Sequence, residues 1–354
     1  MDEVFDAIIV GGGQSGLACG YYLRRKNIKY CILDAESSCG GSWQKYWESL
    51  TLFSPAEHSS LPGWRMPESE GTFPKKEEVI DYLCAYEKRY NLPIHRPVWV
   101  DRIVKEGDIF ILHTSTGKWR SRSLVSATGT YRNPYITNLP GRNSFRGEQL
   151  HSADYKNPEI CRDKKVLIVG GGNSGAQILA EVSKVTSAKW ATLSPPEFLP
   201  DDVDGRVLFD QATAKYYAEK KGEAFDASRY SLGNIVMVPS VQEARDRHVL
   251  ESQPTLQALY EQGVIWPDGS REPFDLILWC TGFGYATTHL DTLLSLDKRG
   301  KADTQGTRAR EVPGLWLVGY GGWTGFASAT LIGVGRSARS TAKEVDHYLS
   351  QITN

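Results

Sequence analysis

Long apolar runs are missing from this chain. The stretch from Leu276 to Cys280 is among the most apolar, and it is far short of the roughly 20 residues a membrane-crossing helix needs, so neither a membrane span nor a membrane partner is expected. An excess of one charge is missing too. With 41 Lys and Arg against 42 Asp and Glu, the net charge is −1, which leaves no basic field to gather a phosphate backbone; nucleic acid is not an expected partner. Cysteine is sparse: the 6 residues at 19, 31, 39, 84, 161 and 280 form no C-x-x-C and no Cys/His cluster of zinc-site spacing, so no metal is expected. Scattered thiols in a chain of 354 residues, too long to need stapling, fit a reduced, cytoplasmic setting. The acidic start Met1-Asp2-Glu3 lacks the positive region and apolar core of a secretory leader, which agrees with that expectation.

What the chain does have is glycine, 34 residues, about a tenth of the total where roughly 7% is usual. Their placement is informative. Residues 6–10 read as a buried strand, followed by Gly11-Gly12-Gly13-Gln14-Ser15-Gly16, a helical run to about Arg25, and a second strand Tyr30–Leu33 ending at Asp34. Each glycine has a mechanical role in such a unit. Gly11 permits the tight turn, Gly13 lets the backbone approach a pyrophosphate, and Gly16 lets helix pack on strand. The helix N-terminus offers unpaired N–H groups to the phosphates, and Asp34 stands where a carboxylate meets an adenosine ribose.

The pattern repeats. Val166–Val169 is followed by Gly170-Gly171-Gly172-Asn173-Ser174-Gly175, a helix to about Ser183, and a strand near Ala188–Thr192. One G-x-G-x-x-G is weak evidence, but two in matching strand and helix context are not both idle turns. Two apolar strands end in small-Thr-Gly turns, Ala127-Thr128-Gly129 and Cys280-Thr281-Gly282. Near the end come a strand at 314–318, a glycine-rich segment 319–325, and a run from Ala327 to about Tyr348 that reads as a closing helix. The expected fold is α/β, two nested Rossmann-like dinucleotide-binding domains. Residues 1–159 and 282–354 form the discontinuous first domain, and 160–281 the inserted second. The stretch 201–248 is the hardest to read, with a helix-favouring centre at 212–223, an interruption at Ser231-Leu232-Gly233, and a basic group Lys215, Lys220 and Lys221 that suits a solvated helix face.

Two dinucleotide units imply electron passage between two cofactors. Phe145-Arg146-Gly147, with His151-Ser152 and Tyr155-Lys156 beyond it, resembles the F-x-G-x-x-x-H-S-x-x-Y-K fingerprint of flavin-containing monooxygenases. Gly40-Gly41-Ser42-Trp43 resembles that family's G-G-x-W segment, and Cys280-Thr281-Gly282-Phe283 its A-T-G-Y motif. The match spans nearly the whole chain, is weakest from about 200 to 260, and is similar to the short bacterial branch.

The resemblance implies FAD held by Gly11, Gly13, Gln14, Ser15, Gly16 and Asp34, with Gly41, Ser42, Trp43 and Gln44 along the ribityl chain and ring. Thr128 and Gly129 would line the cofactor, and Gly319 with Trp323-Thr324-Gly325 would bring the last helix's N-terminus to the ring. NADPH or NADH would lie on Gly170, Gly172, Asn173, Ser174, Gly175 and Thr192, with Thr281 and Gly282 nearby. Phe145, Gly147, His151 and Tyr155 carry the fingerprint, in which His151 is expected to fasten backbone and not to act as a base. The implied reaction uses NAD(P)H and O₂ to oxygenate a soft nucleophile, a sulfide or amine, through a C4a-(hydro)peroxyflavin. The partner is a small molecule, and a homodimer is permitted by the near-neutral charge.

Three departures qualify this. Phe53 stands where longer relatives place an asparagine over the flavin, so the candidates for that face are Phe53, Ser54 and Trp323. The turn Thr192-Leu193-Ser194 offers neither an acid for a ribose diol nor an Arg for a 2′-phosphate, which predicts relaxed coenzyme choice. Gly319-Tyr320 replaces the Gly-Asp of many two-dinucleotide reductases. Two alternatives stay open, an NAD(P)H oxidase or flavin reductase with little or no oxygen transfer, and a non-catalytic redox-responsive flavoprotein. A flavin disulfide reductase would need a C-x-x-C pair or a cysteine in the first glycine loop, and neither is present.

Overall fold

The computed structural model describes residues 3–223, 231 and 233–352. By its contacts the chain forms two compact units. The first comprises residues up to Gln44, Pro55–Asn133 and the chain from Gly284 onward, and the second comprises Lys45–Ser54 and Pro134–Phe283.

In the first unit, β1 (Val4–Val10) leads through the glycine turn into α1 (Gln14–Arg24), and β2 (Tyr30–Leu33) returns parallel to β1. All four residues of β2 are buried, the continuous apolar run of a strand covered on both faces. After α2 (Lys76–Arg89) the short β3 (Ile94–His95) extends the sheet beside β2. Next comes an antiparallel meander of β4 (Val100–Glu106), β5 (Ile109–Thr114) and β6 (Gly117–Ser126); in the first half of β6, Trp119, Ser121 and Ser123 are buried and alternate with more exposed neighbours, a period of two. The last residues of β6 pair parallel with β1.

The second unit holds a parallel sheet of β7 (Glu148–His151), β8 (Val166–Val169), β9 (Ala188–Thr192), β10 (Ser252–Pro254) and β14 (Leu276–Trp279), in the order β10-β9-β8-β14-β7. It also holds α3 (Asn173–Val182), α4 (Gly205–Lys221) and α5 (Pro239–Asp246), with a small antiparallel sheet of β11 (Ala258–Tyr260), β12 (Gly263–Ile265) and β13 (Arg271–Pro273). A domain boundary at 160 separates β7 from its partner, yet Leu276–Trp279 pairs in register with Glu148–His151. The fingerprint segment thus belongs to the second unit's sheet, because β7 fills the open edge of β14. The centre of the hard-to-read stretch is helical as part of α4. The side chains of Lys215 and Lys220, and Leu232 within the expected interruption, lie outside the described residues.

The chain then completes the first sheet with β15 (Thr304–Gln305), β16 (Arg308–Ala309) and β17 (Leu315–Leu317), the last pairing parallel with β6. The closing helix α6 (Val334–Ile352) begins well after Ala327. Gly325 has φ of 129° and Ala327 of 55°, left-handed values that no right-handed helix tolerates, so 325–333 is a turn and the expected helix start is corrected to Val334. α6 packs on α1, and Lys26 pairs with Asp346 at 2.8 Å. Among the described residues no helix is long and apolar enough to cross a membrane, and no group of three or more His, Cys, Asp or Glu could hold a metal.

Candidate functional site

The first glycine turn is built by close approaches. A Cβ at Gly11 would stand 2.5 Å from the Ala127 carbonyl oxygen, and one at Gly16 would stand 1.9 Å from the Gly11 oxygen; neither position admits a side chain. Gly13 differs, since a Cβ there meets nothing within 4 Å. The space over the α1 N-terminus is therefore open where a pyrophosphate would lie, and the chain's own N–H groups line it. Gly319, at φ of 87°, comes so near that a Cβ would fall 1.9 Å from Ser15 Oγ. Gln14 spans this end of the unit, donating to the Ala329 carbonyl at 2.6 Å and accepting from Trp43 Nε1 at 3.1 Å.

The turn Gly41–Lys45 carries Gly41, Ser42, Trp43 and Gln44 together. A Cβ on Gly41 would come 2.8 Å from Gly13 Cα, and Gln44 Nε2 donates to the Cys39 carbonyl at 2.7 Å. Asp34 ends β2 as expected and is buried, but its carboxylate is already engaged. Arg96 reaches it through Nε at 3.0 Å and Nη2 at 2.9 Å, the Glu36 N–H lies 3.3 Å from Oδ1, and Glu87 of α2 takes the other side of the guanidinium at 2.8 Å. Burial raises the Asp34 pKa against the pull of Arg96. Arg96 and Glu87 carry no glycine-motif signal, and sequence reading does not single them out.

Thr128 and Tyr320 meet inside the first unit. Thr128 Oγ1 donates to the Ala286 carbonyl at 2.6 Å and lies 2.7 Å from the Tyr320 hydroxyl, which is 2.6 Å from Ser126 Oγ; His289 Nε2 is 3.0 Å from the same serine. Tyr320 thus ties β6 and the turn at Thr128 to the segment after β17. Gly129 accepts from the Ala286 N–H at 2.9 Å. Thr324 is buried and braces its own turn, accepting from the Tyr320 N–H at 2.9 Å. Trp323 packs on Tyr285 and Tyr320 at 4.8 and 5.2 Å between ring centroids and donates to Thr304.

The second glycine turn repeats the first. A Cβ at Gly170 would stand 2.2 Å from the Cys280 carbonyl oxygen, one at Gly175 would stand 2.2 Å from the Gly170 oxygen, and one at Gly172 meets nothing within 4 Å. Asn173, first residue of α3 and followed by Ser174, uses its amide as Gln14 does, donating to the Asn234 carbonyl at 3.0 Å and accepting from the Val236 N–H at 2.9 Å. Thr192 is buried, while Leu193 is 90% exposed. Thr281 donates to the Tyr135 carbonyl at 2.5 Å, and Gly282 accepts from the Tyr135 N–H at 3.0 Å.

Of the fingerprint residues, His151 and Lys156 bond backbone. His151 is buried; the Ala153 N–H donates to its Nδ1 at 3.1 Å, which leaves Nε2–H to donate to the Gly282 carbonyl at 2.9 Å, and burial lowers its pKa. Phe145 lies in the core, and a Cβ at Gly147 would overlap its ring at 2.4 Å and the Asp275 oxygen at 2.7 Å. Tyr155 is fully buried beside Glu181, whose carboxylate accepts from Ser49 Oγ at 2.5 Å, while Lys156 Nζ donates to the Lys45 carbonyl. Tyr155, Lys156 and Glu181 thus cluster where the 45–54 segment seats. Phe53 and Ser54 end that segment; the Phe53 carbonyl accepts from the Gly205 N–H at 2.7 Å, and its ring lies 6.0 Å from Phe209.

Cysteine placement departs from expectation. Cys39 and Cys84 form a disulfide, so the thiols are not all separate. The physical reason is that the turn at Gly40 lies against Ile80 of α2, which brings together two positions 45 residues apart.

The family model for pyridine nucleotide-disulphide oxidoreductases matches residues 8–191, which includes both glycine turns. A flavin-containing monooxygenase from Stenotrophomonas maltophilia is 46% identical, with a TM-score of 0.90, over 98% of this chain and 99% of that one. An uncharacterized oxidoreductase CzcO-like from Geobacillus kaustophilus (strain HTA426) is 30% identical over 98% of this chain and 99% of its own length. The senecionine N-oxygenase of Tyria jacobaeae is 24% identical over 81% of this chain and 60% of its own. Full-length likeness of this degree, on a chain whose two glycine turns are built alike, places the protein in a family and not merely in a fold. The chain belongs to the bacterial flavin-containing monooxygenases, which are oxidoreductases.

Proposed function

We propose that the chain binds FAD on its first unit and NADPH or NADH on its second, and oxygenates a sulfide or amine of small size with O₂. The observation that carries this reading is the open space at Gly13 and again at Gly172, each flanked by glycines that admit no side chain. A mere turn has no need to keep the middle glycine bare twice. FAD, once bound, supplies hydride acceptance and activation of O₂. The chain's own part is electrostatic and positional: the α1 and α3 N-termini favour the two pyrophosphates, and Asp34, held in place by Arg96, suits an adenosine ribose. Gln14 and Asn173 hold the flanking segments so that each cradle keeps its shape. His151, neutral and occupied with backbone, moves no proton. The likeness to an N-oxygenase supports an amine substrate, a cytoplasmic setting suits the reading, and a homodimer is compatible with it.

Relaxed coenzyme choice is part of the proposal. The turn after β9 presents Leu193 and Ser194 and no cation, and Arg245, which lines a hollow with Phe198, His248, Leu250 and Glu251, is held by Asp201 at 2.6 and 2.9 Å. NADPH and NADH should then differ by less than about 100-fold, or about 2.7 kcal/mol.

One observation favours the oxidase reading as the second choice. Phe53 packs on Phe209, and a phenyl ring donates no hydrogen bond to an oxygen species. The test is product analysis by mass spectrometry with an alkyl aryl sulfide and a tertiary amine, alongside coenzyme and peroxide counts. Oxygenated product in step with coenzyme consumed supports monooxygenation. Peroxide equal to coenzyme with no oxygenated product assigns the chain to oxidase chemistry, and failure to consume either coenzyme leaves a non-catalytic flavoprotein.

A further inference from the structure

The Cys39–Cys84 disulfide lies beside the Gly40–Gln44 turn. Cys39 precedes Gly40, whose φ is 95° and whose Cβ, if it had one, would stand 3.1 Å from Ile80 of α2, one helical turn before Cys84. On its other side the same turn rests on the first glycine loop, through Gly41 against Gly13 and through Trp43 on Gln14. The disulfide is thus the covalent tie between α2 and a turn that abuts the open space at Gly13. Both cysteines are partly exposed, and Ser37 and Ser38 just before Cys39 are exposed, so a reductant can reach the bond. The other four, Cys19, Cys31, Cys161 and Cys280, are buried. Burial pushes the thiols of Cys19, Cys31 and Cys280 up to about 12 and that of Cys161 to about 11, so none competes as a nucleophile.

We propose that Cys39–Cys84 is a thiol-exchange site for a dithiol reductant, small or protein-borne, and that its state sets how firmly the Gly40–Gln44 turn holds FAD. The inference rests on the reading that the first unit binds FAD. A thiolate of the reductant attacks one sulfur and breaks the S–S bond. Its second thiolate then resolves the mixed disulfide, so the reductant leaves oxidised by two electrons and Cys39 and Cys84 each take up a proton as free thiols. In the reduced protein Cys39 is restrained by the Gln44 amide, and its neighbour Gly40 by packing on Ile80; the turn gains freedom that binding FAD must then remove.

The test compares wild-type protein in its disulfide form with protein reduced by dithiothreitol under nitrogen and freed of reductant. Native alkylation followed by mass measurement counts the accessible thiols, zero in the first form and two in the second. FAD affinity of the apoprotein is read from quenching of flavin fluorescence. The reduced form should bind FAD about tenfold more weakly, the effect of freeing a closed loop, and reoxidation should restore the original value. Cys84→Ser should sit at the weak value with or without dithiothreitol. Equal affinity in the two wild-type forms overturns the proposal, as does failure of the purified protein to form the disulfide at all. If neither form binds FAD, the flavin reading falls and the proposal with it, a result distinct from equal binding. The wild-type comparison is reversible and does not depend on the variant folding.

Discussion

The two glycine turns of this protein are nearly one design used twice, and they part company at the end of the second strand. In both, the first glycine touches the carbonyl at the end of a neighbouring strand, Ala127 or Cys280, the third touches the first, and the second is bare. In both, the residue after the bare glycine uses a side-chain amide to hold a distant segment, Trp43 and Ala329 in one unit, Asn234 and Val236 in the other. Then β2 ends in Asp34, buried and braced by Arg96, whereas β9 ends in Thr192 with Leu193 in solvent. The repeated portion is what any pyrophosphate requires, a close backbone and a helix terminus. On the proposed function, the portion that differs would distinguish one adenosine from another and a held cofactor from a passing one.

The largest expected break in this symmetry comes from the third glycines. Gly16→Ala and Gly175→Ala each force a Cβ onto a backbone oxygen, at 1.9 and 2.2 Å, and should each destabilise the protein by about 3 kcal/mol in urea unfolding. Gly16→Ala should emerge colourless, Gly175→Ala yellow but unreduced by coenzyme. Equal flavin content in the two variants would mean the units do not divide the cofactors.

The buried histidines come next. Burial holds the His289 imidazole down to about 4, below its ordinary value of about 6.5, so on acidification the unfolded chain takes the proton first. Stability present above about pH 6.5 is therefore lost as pH falls toward 4, by up to roughly 3 kcal/mol. His151 shifts in the same direction but has a carbonyl partner that favours its protonated form. His289→Gln should flatten the stability profile between pH 4 and 7 more than His151→Gln does, as read from urea midpoints.

Smaller effects sharpen the comparison. Gly13→Ala and Gly172→Ala place a methyl in open space, so folding should hold while ligand is pushed away. Gly13→Ala should weaken FAD binding, and Gly172→Ala should raise the coenzyme KM, each about tenfold or 1.4 kcal/mol. A loss of thermal stability in place of these changes would show the space is structural. Smallest of all, Ser194→Arg should move coenzyme preference toward NADPH by a few-fold, about 1 kcal/mol, seen in the kcat/KM ratio; a shift toward NADH would misplace the ribose.

Much of this was legible in the residues. Strands Tyr30–Leu33 and Val166–Val169 have the bounds expected of them, because a buried parallel strand is an unbroken apolar run that stops at an acid or a glycine. The seating of β7 in the second sheet was not legible, since a partly polar edge strand declares no partner. Nor was the start of α6, where the helix-favouring composition of 327–333 is overruled by the left-handed backbone at Ala327. The Cys39–Cys84 pairing and the Arg96–Glu87 brace on Asp34 join positions far apart in the chain, and single-residue spacing carries no trace of such contacts.

The order in which the units are written into the chain bears on their making. Apart from Lys45–Ser54, the second unit is one continuous stretch, while the first waits for its last third: β17 must join β6, Gly319 must meet Ser15, and Ala329 must meet Gln14. During synthesis, with N-terminal parts emerging first, the second unit can be complete while the first still lacks the segments that close its glycine turn. A chain stopped before 315 should therefore leave the ribosome with one nucleotide unit formed and no means of keeping a flavin, so that the colour of the protein reports that its synthesis was finished.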